Sequence, residues 1–262
     1  MSEQLDRVIE VEGLSVRYGD EVVLEDVTFN VARGEIVIIA GVSGSGKSTL
    51  LRHMIGLARP ASGRVLIGGV DIASASDAQM RSVRRGIGML FQSSGLLGSM
   101  TLGENIDLPL SGFTDLAQEM RETIVRVKLA MVGLSGYEGH LPSELSGGMR
   151  KRAGIARAMA LDPEMLFLDE PFAGLDPITS AGIELLVQKI NRGMGTTIVI
   201  VSHELEAIFH LAERIVMLDK GKKGIIAEGD PRALKERPPN PYVRHFFNRE
   251  IEEKEETERE RT

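Results

Sequence analysis

The pattern of apolar and polar residues divides the chain into three kinds of segment. Alternation with a period of two over residues 8–17 and 22–31 predicts antiparallel strands. Later apolar runs are continuous, which is typical of parallel strands covered on both faces. These runs span residues 36–40, 87–91, 165–168 and 197–201. Between residues 101 and 161 the pattern is mostly helical, with the clearest helices at 116–132 and 146–161, so it predicts an α/β core with a helical insertion.

A glycine-rich loop from Gly41 to Ser48 joins the first continuous run to a helix-like segment. Its sequence, GVSGSGKS, fits the phosphate-loop pattern G-x-x-x-x-G-K-[ST], in which backbone N–H groups surround an anion at a helix N-terminus. Lys47 adds a charge for the β- and γ-phosphates, and the Ser48 hydroxyl is placed to bind Mg²⁺. The loop predicts a nucleoside triphosphate site; the alternative is a glycine-rich turn that matches by chance. The predicted ligands are Gly41, Ser43, Gly44, Ser45, Gly46, Lys47, Ser48 and Thr49.

Two carboxylates follow the apolar run at residues 165–168. A strand that ends in this way delivers Asp169 to the shell of a magnesium ion, while Glu170 can polarise the water that attacks the γ-phosphate. The alternative is an acidic strand end that faces solvent. Together with the phosphate loop upstream, the pair predicts hydrolysis of the bound nucleotide.

The composition narrows the classes of function. At 262 residues the chain is long enough for one composite domain. Its formal charge of −7 argues against a general nucleic-acid-binding surface, and a solvated helix face explains the basic cluster of Arg81, Arg84 and Arg85 more simply. The absence of cysteine excludes disulfides, zinc–thiolate sites and cysteine nucleophiles. Because no apolar run approaches the ~20 residues that cross a bilayer and the N-terminus lacks a signal-peptide pattern, we expect a soluble, cytoplasmic chain.

A change in composition after Arg237 marks a boundary. Residues 238–241 read PPNP, and the last stretch, 249–262, carries seven Glu against four Lys or Arg, a net charge of −3. We therefore expect a folded domain over residues 1–237 and a C-terminal extension over 238–262 whose end is a solvated, charged tail.

The sequence LSGGM at residues 145–149 opens a predicted helix just before the carboxylate strand. Ser146 is a good N-cap, and Gly147 and Gly148 expose amides at a helix N-terminus, which makes a second anion cradle. By itself this is an ordinary helix cap, but in this order of motifs it resembles the signature of ABC ATPases. The resemblance implies a P-loop NTPase (RecA-like) mixed-sheet core with an N-terminal antiparallel β subdomain and an inserted helical subdomain at about 93–161. It also implies a homodimer in which this cradle binds the γ-phosphate of the partner's ATP.

Further residues match the family in order, and their roles are what the resemblance implies. Tyr18 is similar to the aromatic residue that stacks on adenine, although it could also be a packing tyrosine. Gln92 resembles the glutamine that contacts Mg²⁺ and water and links the site to a membrane subunit. Asp176 lies in a segment that resembles the loop that communicates across the pair, and His203 resembles the switch histidine at the γ-phosphate. The expected catalytic residues are Lys47, Gln92, Glu170 and His203, and the expected metal ligands are Ser48, Gln92 and Asp169.

The domain content of the chain and three of its segments narrow the biological role. A single ATPase domain without heptads is typical of a transporter subunit, not of repair or translation members of the family. Segments 89–97, 142–149 and 169–179 resemble the ATPase subunits of Mla-type phospholipid transporters, and Met149 supports this. The resemblance implies a place on the inner face of the inner membrane and three partners: a permease, a STAS-type regulatory subunit and an MCE lipid-binding protein. A transporter of another substrate would share every nucleotide-binding residue, and a non-transport ATPase acting on nucleic acid is a second alternative.

Residues 240–247 resemble the C-terminal extension of the same transporters, which can pack against the neighbouring ATPase subunit. Tyr242 and Phe246 are four residues apart and could form an apolar stripe on a helix. Equally, these aromatic residues could cover their own domain.

Overall fold

The computed structural model describes residues 7–249 of the chain. Its strands are β1 Arg7–Tyr18, β2 Glu21–Ala32, β3 Ile36–Ala40, β4 Ser62–Ile67, β5 Val70–Asp71, β6 Ile87–Leu90, β7 Met165–Asp169, β8 Thr197–Val201, β9 Arg214–Asp219 and β10 Gly224–Gly229. Its α-helices are α1 Lys47–Met54, α2 Asp77–Arg85, α3 Leu102–Phe113, α4 Gln118–Met131, α5 Gly147–Ala158, α6 Pro177–Met194, α7 Leu205–Leu211, α8 Pro231–Glu236 and α9 Pro241–Asn248. A short 3₁₀ helix spans Pro142–Glu144.

The larger sheet has six strands in the order β10-β9-β3-β8-β7-β6. All neighbours from β9 to β6 are parallel, and β10 pairs antiparallel with β9 at one edge. Every residue of β3, β7 and β8 is buried, as the continuous apolar runs predict. Because the C-terminal ends of parallel strands meet at one edge, the residues that follow β3, β7 and β8 come close together there.

The smaller sheet, β2-β1-β4-β5, is antiparallel. Its first two strands are the predicted alternating segments, and the second continues unbroken through residues 21–32. The smaller sheet and helix α1 pack against one side of the larger sheet, and other helices, among them α5 and α6, pack against its other side, so successive residues of β3 enter different cores. Ile38 belongs to the core with the helices, whereas Ile39 belongs to the core between the two sheets.

The helical insertion contains the two predicted helices, as α4 and α5, and also α3. Helix α3 begins with a capping box between Thr101 and Glu104. Buried Asn105 fixes the preceding segment, because its amide accepts from the Leu97 N–H at 2.8 Å and donates to the carbonyl oxygens of Leu97, Met100 and Thr101.

The C-terminal helix α9 lies on its own domain. Val243 and Phe247 form its buried face, and the rings of Phe247 and Phe209 are 5.5 Å apart between centroids. The predicted stripe is offset by one position: Phe246 is partly buried, and Tyr242 is 50% exposed. The charged tail expected beyond this helix lies outside the described residues. Within residues 7–249, no helix has the length and hydropathy to cross a bilayer.

Candidate nucleotide site

The phosphate loop lies between the end of β3 and the start of α1, as its sequence predicts. Gly41 has a φ of 143°, and a Cβ at this position would lie 2.3 Å from the carbonyl oxygen of Leu218. Gly46 is the N-cap of α1 with a φ of 93°, and a Cβ there would lie 2.8 Å from Leu24. Side chains are excluded at both positions, so the loop keeps its curled backbone and exposes the N-terminus of α1 to an anion.

Lys47 begins α1 and points back into the loop. Its Nζ donates to the carbonyl oxygens of Gly41 at 2.8 Å and Val42 at 2.9 Å. Burial lowers the pKa of Lys47, and the negative charges of Glu170 and Asp169 oppose that shift. A buried ammonium that is satisfied only by neutral carbonyls is well suited to bind phosphate oxygens, which are stronger acceptors.

Ser48 and Asp169 form the oxygen pair expected for a magnesium ion. The Ser48 hydroxyl donates to Asp169 Oδ1 at 2.8 Å, which joins the start of α1 to the end of β7. Hydroxyl and carboxylate oxygens are the hard ligands that Mg²⁺ takes, so these residues fit the ion. Residues 7–249 contain no cluster of three or more His, Asp or Glu that could hold a metal. The remaining ligands would be the predicted Gln92 together with phosphate and water, as is usual for Mg²⁺ at nucleotides.

Glu170 and His203 meet at the ends of β7 and β8. His203 Nδ1 and Glu170 Oε1 are 2.9 Å apart. The second carboxylate oxygen, Glu170 Oε2, is buried and has no hydrogen-bond partner among residues 7–249. Glu170 also has a φ of 49°, which is uncommon for a residue with a side chain and is found where backbone strain serves a site. In the described part of the chain, Oε2 therefore keeps an unused acceptor position.

Gln92 and Tyr18 are both exposed. The Gln92 side chain is exposed, and its backbone carbonyl oxygen accepts from Lys151 Nζ at 2.6 Å. Tyr18 ends β1 and is 55% exposed, so it does not serve as a core residue. The hairpin that Tyr18 closes also places Leu24 against Gly46, next to the phosphate loop.

The second anion cradle lies at the start of α5. Ser146 is the N-cap of α5, as expected, and its side chain accepts from the Met149 N–H at 3.3 Å. No hydrogen bond or ion pair in the described part of the chain links residues 146–148 to the phosphate loop. Asp176 caps α6 by accepting from the Ile178 and Thr179 amides, and a further hydrogen bond from the Thr179 hydroxyl lowers the pKa of Asp176.

Gly148 joins the cradle to α6, and this contact gives a prediction. A Cβ at Gly148 would lie 2.3 Å from Thr179 Cγ2, in a side chain that Asp176 holds in place. We expect Gly148→Ala to lower the free energy of unfolding by about 1–3 kcal/mol, as overpacking does. At Gly147 the nearest atom to an added Cβ is 3.5 Å away, so Gly147→Ala is the matched control and should be neutral or stabilising. Equal stability of the two variants in urea unfolding would show that the contact is not tight.

Sequence reasoning missed Lys151, which lies among these residues. Its Nζ donates to the carbonyl oxygens of Gln92 and, at 2.7 Å, Glu170. A helical pattern could have revealed it, because Lys151 is four residues before Ile155 and eight before Met159, all three buried. Burial lowers the pKa of Lys151, and burial likewise raises the pKa of the neighbouring Glu204.

Comparison with known families identifies the protein family of this chain. The family model described as ABC transporter matches residues 24–173, which is more than half of the chain. The chain belongs to the ABC transporter family. Its match includes the phosphate loop, the signature at residues 145–149 and the carboxylate pair.

Curated relatives of this ABC transporter chain cover nearly all of it. The intermembrane phospholipid transport system ATP-binding protein MlaF of Escherichia coli is 37% identical over 248 residues, 95% of this chain and 91% of MlaF. MlaF of Haemophilus influenzae is 39% identical over 227 residues, which are 87% of this chain and 85% of that MlaF chain. The Mycobacterium tuberculosis protein mkl, described as a probable ribonucleotide transport ATP-binding protein, is 41% identical over 240 residues, 92% of this chain. The chain spans only 66% of the length of mkl.

A solved ABC cassette supports the activity. The dimeric, post-hydrolysis structure of the ATP-binding cassette MJ0796 with ADP and Pi has a TM-score of 0.78 and 32% identity, covering 85% of this chain and 98% of the cassette. Fold and family together make this chain an ATP-binding and ATP-hydrolysing ABC protein, which confirms the α/β P-loop architecture and the activity expected from the sequence. The roles of the individual site residues stay predictions.

Proposed function

We propose that this chain powers phospholipid transport as the ATPase subunit of a Mla-type transporter. The observation that carries the proposal is the similarity to MlaF along 95% of the chain and 91% of MlaF, a protein named for intermembrane phospholipid transport. The similarity extends to surfaces outside the nucleotide site. Shared ATPase activity alone would not require similarity at those surfaces.

The reaction proposed for the site is attack of water on the γ-phosphate of ATP. Lys47 binds the β- and γ-phosphates, and Ser48 and Asp169, together with Gln92, would hold Mg²⁺, which neutralises charge on the phosphates. As the water oxygen bonds to phosphorus, the bond to the β–γ bridging oxygen breaks and ADP leaves. Glu170 accepts the water proton at Oε2, while His203 holds Oε1 by the 2.9 Å contact and would contact the γ-phosphate as the switch histidine.

We propose that two copies complete each other's sites. The cradle at residues 146–148 exposes a helix N-terminus that makes no hydrogen bond to its own phosphate loop within residues 7–249, which suits it to the γ-phosphate of a partner's ATP. Asp176, at the neighbouring start of α6, would communicate across the pair. Tyr18 would stack on adenine. A relative 32% identical to this chain forms a dimer in a structure with bound ADP and Pi, which supports the pairing proposal.

The pairing proposal predicts that one substitution can prevent dimer formation without weakening ATP binding. Ser146→Arg should abolish the ATP-dependent dimer, because a guanidinium group would fill the cradle, yet each copy should still bind ATP with wild-type affinity. Size-exclusion chromatography with ATP and equilibrium nucleotide binding measure the two effects. Ser143→Arg, an exposed position on the preceding 3₁₀ helix, is the control and should dimerise normally. A Ser146→Arg dimer as stable as the wild type would contradict the assignment of the cradle.

Transport requires partners that span the membrane, because no helix of residues 7–249 could do so. We propose a permease as the direct partner, with a STAS-type regulatory subunit and an MCE lipid-binding protein in the same complex. The ATPase pair would then lie at the inner face of the inner membrane. A contact of residues 238–262 with the neighbouring ATPase subunit remains part of this proposal, although α9 itself packs on its own domain.

A different cargo is the main competing function, because mkl is named for ribonucleotide transport and is 41% identical to this chain. The nucleotide-site residues do not discriminate, since none of them touches cargo. Purification of the native complex, with identification of its membrane subunits and its bound small molecules, tests the proposal. Bound phospholipid and ATP turnover that responds to phospholipid support it; ribonucleotide bound without lipid would contradict it. Salt-sensitive nucleic-acid binding that stimulates turnover would instead favour the non-transport alternative.

A further inference from the structure

Lys151 connects three parts of the nucleotide site from inside the protein. It belongs to α5, five residues after Ser146, and is only 7% exposed. Its Nζ donates to the Gln92 carbonyl oxygen at 2.6 Å and to the Glu170 carbonyl oxygen at 2.7 Å. One ammonium group thus ties the helix that carries the second anion cradle to both the glutamine segment and the end of the carboxylate strand.

A charged group at this position needs an explanation. Burial lowers the pKa of Lys151, so the site disfavours the charge, while the carboxylates of Asp169, Glu170 and Glu204 favour it. No ion pair within 4.0 Å compensates Lys151 among residues 7–249; its hydrogen-bond acceptors are the two neutral carbonyl oxygens. Lys128, a second buried lysine of the same subdomain, instead pairs directly with Asp162. A buried cation without such a pair is expensive to keep, which points to a use at the site.

The backbone of Glu170 explains that use. Its φ of 49° is a conformation that residues with a side chain seldom adopt without support from their surroundings. The support is present on both sides: the Glu170 N–H donates to the Val201 carbonyl oxygen at 3.0 Å, and the Glu170 carbonyl oxygen accepts from Lys151. The turn aims the Glu170 side chain at His203, so a change in the Lys151 contact would change where Oε2 lies.

We propose that Lys151 is a positioning residue that makes the alignment of Glu170 depend on the position of helix α5. When the partner's ATP engages the cradle at Ser146, the displacement of α5 is carried through Lys151 to Glu170 and Gln92. Each copy thereby adjusts its own carboxylate to the occupancy of its partner's site. The inference rests on the proposed pairing and on the proposed role of Glu170 as base.

The test compares variants of the full chain purified with its native membrane partners. Lys151→Met keeps the length of the side chain and removes both hydrogen bonds, whereas Lys151→Gln keeps donors without the charge. We expect Lys151→Met to bind ATP within about twofold of the wild type but to reduce kcat by about tenfold to 100-fold, since misplacement by about 1 Å can cost 10²-fold. Lys151→Gln should recover an intermediate kcat. Lys128→Met is the matched control and should keep the wild-type kcat even where its thermal stability falls.

The controls distinguish a failure of this inference from a general loss of stability and from a failure of the phospholipid proposal. A wild-type kcat for folded Lys151→Met would overturn the inference, as would an equal fall in kcat for Lys128→Met. Loss of ATP affinity in parallel with kcat would also overturn it, because positioning of Glu170 acts on the chemical step and not on binding. Failure of the phospholipid proposal would appear as another cargo in the purified complex and would leave this pattern of rates unchanged.

Discussion

Glu170→Gln is expected to slow ATP hydrolysis by about 10²–10⁴-fold, the usual contribution of a general base, while ATP remains bound with wild-type affinity. Glutamine has nearly the same shape and preserves a contact with His203, but its amide cannot accept the proton of the attacking water. Because the variant still binds ATP but hydrolyses it slowly, it should accumulate as a dimer with ATP bound. Steady-state phosphate release and equilibrium nucleotide binding measure the two properties.

The chain offers a matched control for this substitution. Glu184 is also buried and also contacts a histidine, His210, with 2.8 Å between Glu184 Oε2 and His210 Nδ1. That pair joins α6 to α7 and, within residues 7–249, makes no hydrogen bond to the phosphate loop, so Glu184→Gln should hydrolyse ATP at the wild-type rate. A Glu170→Gln variant that turns over as fast as the wild type would show that another group is the base.

Lys47→Ala is expected to have the largest effect on ATP affinity. The lysine is the cation of the phosphate loop, and removal of one partner of a buried charged contact costs about 2–5 kcal/mol, which is roughly a 30-fold loss of affinity or more. The fold should tolerate the change, because the charge is already disfavoured by burial and its acceptors are two loop carbonyls.

Isothermal titration with a slowly hydrolysed ATP analogue measures this loss. Lys128→Ala provides the comparison, because Lys128 is equally buried but pairs with Asp162 in the helical subdomain. Its affinity for the nucleotide should match that of the wild type. Similar losses in both variants would mean that the effect comes from a general loss of stability and not from a phosphate contact.

Much of the site could be predicted from the sequence because its motifs are local. The phosphate loop and the carboxylate pair each follow a strand within a few residues, so spacing alone places Lys47, Ser48 and Asp169 at one edge of the sheet. The contact between Ser48 and Asp169 joins residues 121 positions apart, yet strand order brings them together as expected. Ser146 could likewise be predicted as a helix N-cap, because that prediction depends only on the residues next to it.

Other features depend on packing that no short pattern encodes. Strands β4 and β5 are short and flanked by glycines, so their alternation is too brief to mark them. The buried face of α9 contains Val243 and Phe247 because of where α7 lies, although the pair 242 and 246 has the same spacing. The sequence indicates at most that Lys151 lies on a buried helix face, and only the fold shows that it reaches the Glu170 carbonyl oxygen.

The central claim is that one chain lacks half of each reaction centre and that a second copy supplies it. ATP turnover per chain, measured over a dilution series in parallel with molecular mass in solution, tests this claim most directly. The account predicts that turnover follows the fraction of paired chains and vanishes where the protein is monomeric. A monomer that hydrolyses ATP as fast as the intact complex would contradict it.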